Sequence, residues 1–305
     1  MIMGFIDQMR AKGHAVESIC RVLRQEGCQI AARTYRAWRR RSASARDTSD
    51  AVLLNVLHDL VGTPEGLYGR RKMTAWLRRE GHQVGAGRVD RLMRVAGMNG
   101  VRRGRPVRTT VPAKDGCRAG DLLNRDFTAA APNTKWVADF TYVRTWAGFV
   151  YVAFVLDCYS QRILAWHAAT AKTTPLVLTP LRIALWDRDR HGHPVQPGEL
   201  IAHSDAGSQY TSLRFAEHLA AEGIAASIGT VADAYDNALM ECVIGLYKTE
   251  CITTTIFHNG PYKTIADVEY ATAGWVEWYN NRRLHSSLAM TTPAEYETAY
   301  YANLN

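Results

Sequence analysis

Three acidic residues, Asp139, Asp205 and Glu241, stand where a folded chain could bring carboxylates together. Asp139 lies within a β-type run, 135–145, and Asp205 follows a second apolar run that ends at Ser204. Glu241 belongs to a stretch of helical character, and 35 residues separate it from Asp205. Carboxylates at the ends of separate elements can converge on one point, but three of them there repel unless cations neutralise them. Such a site implies a divalent metal, and in a basic chain its chemistry falls on nucleic-acid phosphates. Lys248 follows Glu241 by seven residues, two turns along the same helical face, as a cation suited to a phosphate. Other acids have plainer roles. Asp157 precedes Cys158-Tyr159-Ser160 as a turn former, and Asp233 and Asp236 fall where helix caps are expected.

The elements that must hold these residues can be traced by periodicity. Runs 135–145, 149–157 and 163–169 have strand character and short intervening turns. The middle run, FVYVAFVLD, is almost wholly apolar, as an interior strand is. A helix over 174–186, a strand over 200–204, a helix over 212–222, a short strand over 225–228 and a helix over 234–250 follow. Three strands in a meander and then alternating helices and strands give an α/β fold, a mixed five-stranded sheet flanked by helices. The tail closes with a helix over 264–281, boxed by Thr264 and Asp267, and a final helix capped by Thr292 with Pro293 and Glu295 behind it.

The first hundred residues have a different texture, all helical and broken by glycine. Further helices are expected over 15–26, 32–41 and 50–61. Residues 23–40, LRQEGCQIAARTYRAWRR, recur as 77–94, LRREGHQVGAGRVDRLMR, with a constant offset of 54 and seven of eighteen positions identical. Each copy has a helix, a Glu-Gly stop, a turn with one apolar residue (Ile30 or Val84) and a basic second helix. This is the pattern of a helix-turn-helix unit, twice over, whose second helix can enter a DNA groove. Arg33, Arg36, Arg88 and Arg91 are the candidate contacts, with phosphate rather than base edges as the first expectation. Val101–Arg108 then holds four arginines, among them Arg102, Arg103 and Arg105, and opens a basic linker.

Charge follows the same division. Residues 1–130 contain 25 Lys+Arg and 12 Asp+Glu, a balance of +13, and residues 131–305 contain 12 and 17, a balance of −5; together they make the net +8 of the chain. A basic arm on an acidic body fits a polyanion-binding module joined to a catalytic one. The six cysteines form no C-x-x-C pair, and no apolar stretch reaches membrane-spanning length, so a reducing, cytoplasmic setting without a membrane partner is expected. The expected segments are 1–62 and 63–100 for the two helix-turn-helix units, 101–133 for the linker, 134–256 for a catalytic core and 257–305 for a helical extension.

Four stretches together resemble a known family. WVADFTYV (136–143), HSDAGSQYTS (203–212), YDNALMECVIGLYKTE (235–250) and WYNNRRLHSSLAMTTPAEYE (278–297) are similar to the integrase-core transposases of the IS-three type, the larger reading frame, OrfB, of small bacterial insertion sequences. Residues 68–98 resemble their helix-turn-helix region. The resemblance implies an RNase H-like core with a DDE triad at Asp139, Asp205 and Glu241. It implies two Mg²⁺ ions, replaceable by Mn²⁺, with Asp139 shared between them. It further implies 3′-end strand cleavage and strand transfer on double-stranded DNA, at terminal inverted repeats and a target, in a synaptic homo-oligomer. A small upstream partner, OrfA, supplied separately or as a fusion, and a nucleoid-associated location belong to the same expectation. Lys248 would meet the DNA phosphate or terminal base, and Arg282 and Arg283 would face DNA or close the core. Ala206 and Cys242 depart from the usual Arg and Ser or Thr beside two of the acids. The alternative is a catalytically silent DNA-binding regulator that keeps the fold; the intact triad argues against it.

Overall fold

A computed structural model describes residues 2–102, 123, 126–204, 210, 212–228 and 237–304. The chain divides into two compact units, Met1–Val56 and Leu57–Asn305.

The first unit is helical: α1 (Ile2–Ala11), α2 (Val16–Gln25), α3 (Ala32–Arg40) and the start of α4 (Ala45–Asp59). Its core is small, formed by Ile6, Ile19, Cys20, Ile30 and Tyr35. The Tyr35 hydroxyl donates to Asp7 and accepts from Arg10, so the one large buried ring has its polar end satisfied. The helix expected over 50–61 starts earlier, at Ala45, where Ser44 and Asp47 bond reciprocally.

In the second unit, α5 (Arg70–Arg79) and α6 (Ala86–Val95) repeat α2 and α3 at the sequence offset. The likeness extends to single atoms. Gly27 and Gly81 both take positive φ, 83° and 87°. The next amide donates back to the helix in each copy, Cys28 N to Leu23 O at 2.8 Å and His82 N to Leu77 O at 2.9 Å. That is a left-handed helix stop, which glycine adopts without a Cβ penalty. Ile30 and Val84, the turn residues, are both buried.

The sheet has the order β3-β2-β1-β4-β5, with β1 Lys135–Thr145, β2 Gly148–Asp157, β3 Ile163–Ala169, β4 Ile201–Ser204 and β5 Ala225–Ile228. β1, β2 and β3 are antiparallel, whereas β4 and β5 run parallel to β1 after crossovers through α7 (Thr174–Arg190) and α8 (Leu213–Ala221). This is the mixed sheet of an RNase H-like fold. Side chains alternate across it. Trp136, Ala138 and Phe140 of β1 join the apolar cluster of α7 and α8. Phe154 of β2, opposite Asp139 in register, turns to the other face, where it meets the rings of Tyr247 at 5.1 Å and Trp275 at 6.2 Å. That face is covered by α9 (Ala238–Leu246), a π-helical turn (Tyr247–Ile252) and α10 (Ile265–Asn281); α11 (Pro293–Ala302) ends the chain. Both expected capping boxes are present, at Thr264–Asp267 and Thr292–Glu295.

The element carrying Glu241 also differs from its expected form. The helix over 234–250 is described from Ala238 and passes at Tyr247 into a π-helical turn. Residues 234–236, with the expected cap Asp236, and Asp233 lie outside the described residues.

Candidate active site

Asp139 lies in the middle of β1, the central strand. One carboxylate oxygen accepts from the next backbone amide, Phe140 N, at 2.7 Å. The described pairing of β1 with β4 ends at Ala138–Ser204, one residue before Asp139. Asp205 is next in sequence after Ser204, and with Ala206 it lies outside the described residues. Glu241 stands in the first turn of α9, its amide bonded to the Asn237 carbonyl at 3.0 Å. Met240, Val243 and Tyr247 form the buried stripe of this helix, so Glu241 is exposed beside that stripe rather than within it. A carboxylate in the first turn also sits at the positive end of the helix dipole.

Two side chains fasten this helical segment to β1. Asn237 Nδ2 donates to the Ala138 carbonyl at 3.2 Å. Lys248 Nζ donates to the Tyr142 carbonyl and lies 4.7 Å from the centre of the Tyr142 ring. The two bonds bracket Asp139 on the strand, one residue before it and three after. They bracket Glu241 on the helical segment, four residues before it and seven after. Asp139 and Glu241 are therefore carried by two elements clamped together on either side of them. Asn237 is 2 % exposed, and its Oδ1 is buried with no hydrogen-bond partner among the described residues. An orphaned buried acceptor on a residue bonded to Ala138, next to Asp139 in sequence, and one helical turn before Glu241 offers a hard oxygen of the kind that suits Mg²⁺ or Mn²⁺. Among the described residues, no three His, Cys, Asp or Glu side chains converge as a metal-holding group.

Burial pushes the Lys248 ammonium down to about 8. The π-helical turn that carries it widens the helix, so Lys248 does not stand simply two α-turns above Glu241. Behind it Glu250 is buried and accepts from Arg283 Nε at 2.9 Å, from Arg283 Nη2 at 2.6 Å and from Trp275 Nε1 at 3.3 Å. Of the two expectations for Arg283, facing DNA or closing the core, a buried guanidinium held by Glu250 fits the second. Its neighbour Arg282 is exposed. Asn280 both accepts from and donates to the Ile163 backbone, and His285 Nε2 pairs with the Tyr279 carbonyl. Asn280, Arg283 and His285 therefore close the core at the end of α10, and Arg282 does not.

The remaining sequence candidates are spread over the helical region. Arg33 and Arg36 are exposed on α3, with Arg36 paired to Glu17. Arg88 and Arg91 are half-buried on α6, and Arg102 is exposed; Arg103 and Arg105 lie outside the described residues. Asp157 behaves as a turn former, accepting from the amides of Tyr159, Ser160 and Asn133. His203 is buried, its Nδ1 paired with Ser227 Oγ at 2.8 Å. Sequence reasoning missed Asn237. Its only signal was its place four residues before Glu241, where an Asn is ordinarily a helix cap; here its side chain makes no cap bond.

Comparison with known proteins agrees with this fold. Residues 129–234 match an integrase core domain, residues 222–293 a second integrase core domain description, and residues 52–106 an HTH-like domain. The chain is 45% identical over 273 residues to a transposase for insertion sequence element IS986/IS6110 of Mycobacterium tuberculosis, covering 90% of this chain and 96% of that one. It is 45% identical to the transposase for insertion sequence element IS629 of Shigella sonnei, over 86% of this chain and 84% of that one. It is 29% identical to the transposase InsF for insertion sequence IS3A of Escherichia coli, over 96% and 97%. An integrase-type core implies divalent-metal use, and an HTH-like domain implies DNA binding. By the order of its domains and by these relatives, the chain belongs to the insertion-sequence transposases of the IS-three type: it is a DNA transposase, a DDE-type polynucleotidyl transferase.

Proposed function

We propose that Asp139, Asp205 and Glu241 form the metal site with which this transposase cuts one strand at an element end and joins the freed 3′-OH to a second strand. The observation that carries the assignment is the double clamp, Asn237 to Ala138 and Lys248 to Tyr142, which fixes the helical segment of Glu241 to the strand of Asp139. Asp205, one residue past the β4 terminus paired to Ala138, completes the set by sequence.

The group these residues fit is a pair of Mg²⁺ ions, or Mn²⁺ in their place; when bound, it activates an attacking oxygen and neutralises charge on the departing one. The chain's own part is to hold three carboxylates and to offer cations to the phosphodiester. Asp139, on the central strand, would hold the ions together with Asp205 and Glu241. Lys248 meets the phosphate next to the scissile bond. Arg33, Arg36, Arg88, Arg91, Arg102, Arg103, Arg105 and Arg282 bind duplex DNA along the terminal inverted repeat and the target. Segments 1–62, 63–100, 101–133, 134–256 and 257–305 serve as two DNA-binding units, linker, core and closing extension. Two or more copies pair the element ends, with OrfA as a partner or fusion, in the nucleoid.

The test uses purified protein, a duplex carrying the element end, and Mg²⁺. Joined product that disappears with EDTA and returns with Mg²⁺ or Mn²⁺ supports the assignment. Binding without cleavage, unchanged in Asp205→Ala, overturns it in favour of a silent regulator.

A further inference from the structure

The β1–β2 hairpin ends in large aromatic residues that the core does not use. Trp146 is 73 % exposed, Phe149 50 % and Tyr142 39 %. Single exposed aromatics are ordinary, but a cluster of them marks a contact surface. These three are adjacent by construction. Tyr142 and Arg144 share the face of β1 opposite to that of Asp139, and Arg144 is in register with Phe149 on β2. The Tyr142 and Phe149 rings meet edge to face at 5.2 Å.

Cations interleave with the rings. Lys248 lies over Tyr142, Lys263 Nζ lies 5.5 Å from the Trp146 ring, and exposed Arg144 stands between them along β1. Asp267, four residues on from Lys263, spends its carboxylate on the Lys263 and Thr264 amides as a helix box. The platform is also held in place. Trp146 N donates to the Tyr262 carbonyl at 3.1 Å, and Ala147 N to the Lys263 carbonyl at 3.0 Å. Tyr262 in turn donates to the Cys251 carbonyl, at the end of the segment that carries Glu241 and Lys248. The exposed rings thus project from a backbone fixed to the candidate active site.

Rings on a rigid support with interleaved cations suit stacked bases flanked by phosphates, the chemistry of unpaired nucleic acid. We propose that this hairpin tip is a stacking platform for unpaired DNA bases next to the cleavage site. The proposal rests on the transposase reading, since it takes the DNA strand to pass Asp139. At about 3.3 Å per strand residue, Tyr142 lies about 10 Å and Trp146 about 23 Å from Asp139. At about 3.4 Å per nucleotide of a stacked strand, the platform reaches about three to seven nucleotides from the cut.

The experiment uses the full chain without metal, so no cleavage occurs, and a labelled oligo(dT) carrying 5-iodouracil. Irradiation and peptide mapping locate the cross-links. Binding is measured in parallel at a salt concentration that suppresses contacts made by the basic arm. Cross-links at Tyr142, Trp146 or Phe149, and affinity reduced on the order of tenfold in Trp146→Ala and in Phe149→Ala, are expected. Cross-links confined to residues 2–102, or wild-type affinity in both variants, overturn the platform. So does a change of oligomeric mass by light scattering with oligo(dT) affinity unchanged, which makes the tip a contact between copies. Failure of the triad instead shows as loss of metal-dependent joining while these cross-links persist, so the two readings fail separately.

Discussion

Asn237 and Lys248 do their work as single bonds to backbone carbonyls, so each can be tested alone. Asn237→Ala removes the bond to Ala138 and leaves that end of the Glu241 helix held only by packing. A residue that orients metal-holding groups typically matters by about 10–100-fold. The expected outcome is a raised Mg²⁺ requirement for joining, by about tenfold or more, with DNA affinity unchanged in a binding assay. An unchanged Mg²⁺ titration would show that the helix is placed without this bond. Lys248 makes a prediction with a definite sign. Its pKa is depressed to about 8 by burial, so its charge is full below that pH and is lost as pH rises through it. Protonated Lys248 attracts phosphate, so DNA affinity should fall between about pH 7 and pH 9. Lys248→Arg stays charged throughout and should flatten that part of the profile; a parallel fall in both proteins would assign the titration elsewhere.

At the scale of elements, the helical segment carrying Glu241 ends in a buried ion pair. Glu250 and Arg283 satisfy each other, and breaking such a pair strands a charge at a cost of about 3–5 kcal/mol. Arg283→Met should lower thermal stability by that amount, and Glu250→Leu with Arg283→Met should recover most of it. Recovery fails if the pair also fixes the π-helical turn in a way that apolar packing cannot. Glu297 plays a similar part between α11 and α7, holding Arg188 and Arg162 and accepting from Ser160. These pairs show where the sequence was legible and where it was not. Strand and helix periods are local, so β1, β3 and β5 and both capping boxes could be read within a residue. Ion pairs between Glu250 and Arg283, or Glu297 and Arg188, join residues 33 and 109 positions apart. A charged residue also defaults to the surface, so Arg283 looked like a DNA contact. The π-turn was invisible for a related reason. Met240, Val243, Tyr247 and Cys251 fit an α-helical stripe, so the period alone carried no sign of the wider winding. Of the candidate site, the acids are proposed from their motifs, whereas the Asn237 clamp required the fold.

Over the whole molecule, a duplicated helical unit and an RNase H-like core divide the charge between them. The copies share their stops and turns, yet their arginines differ. Arg33 and Arg36 are exposed, and Arg88 and Arg91 are half-buried. Each phosphate contact contributes about 0.9 to the slope of log affinity against log salt. Arg33→Ala with Arg36→Ala should therefore reduce that slope by about two. A smaller change for Arg88→Ala with Arg91→Ala would assign the second copy to a more structural part. The central claim is that Asp139, Asp205 and Glu241 act together on a DNA phosphodiester. It is tested most directly by joining of an element-end duplex under Mg²⁺ in Asp139→Asn, Asp205→Asn and Glu241→Gln, each beside a binding measurement. Loss of several kcal/mol of charge stabilisation corresponds to a rate loss on the order of a thousandfold. The account predicts that loss in all three variants with DNA binding retained; joining at the wild-type rate in any one of them contradicts it.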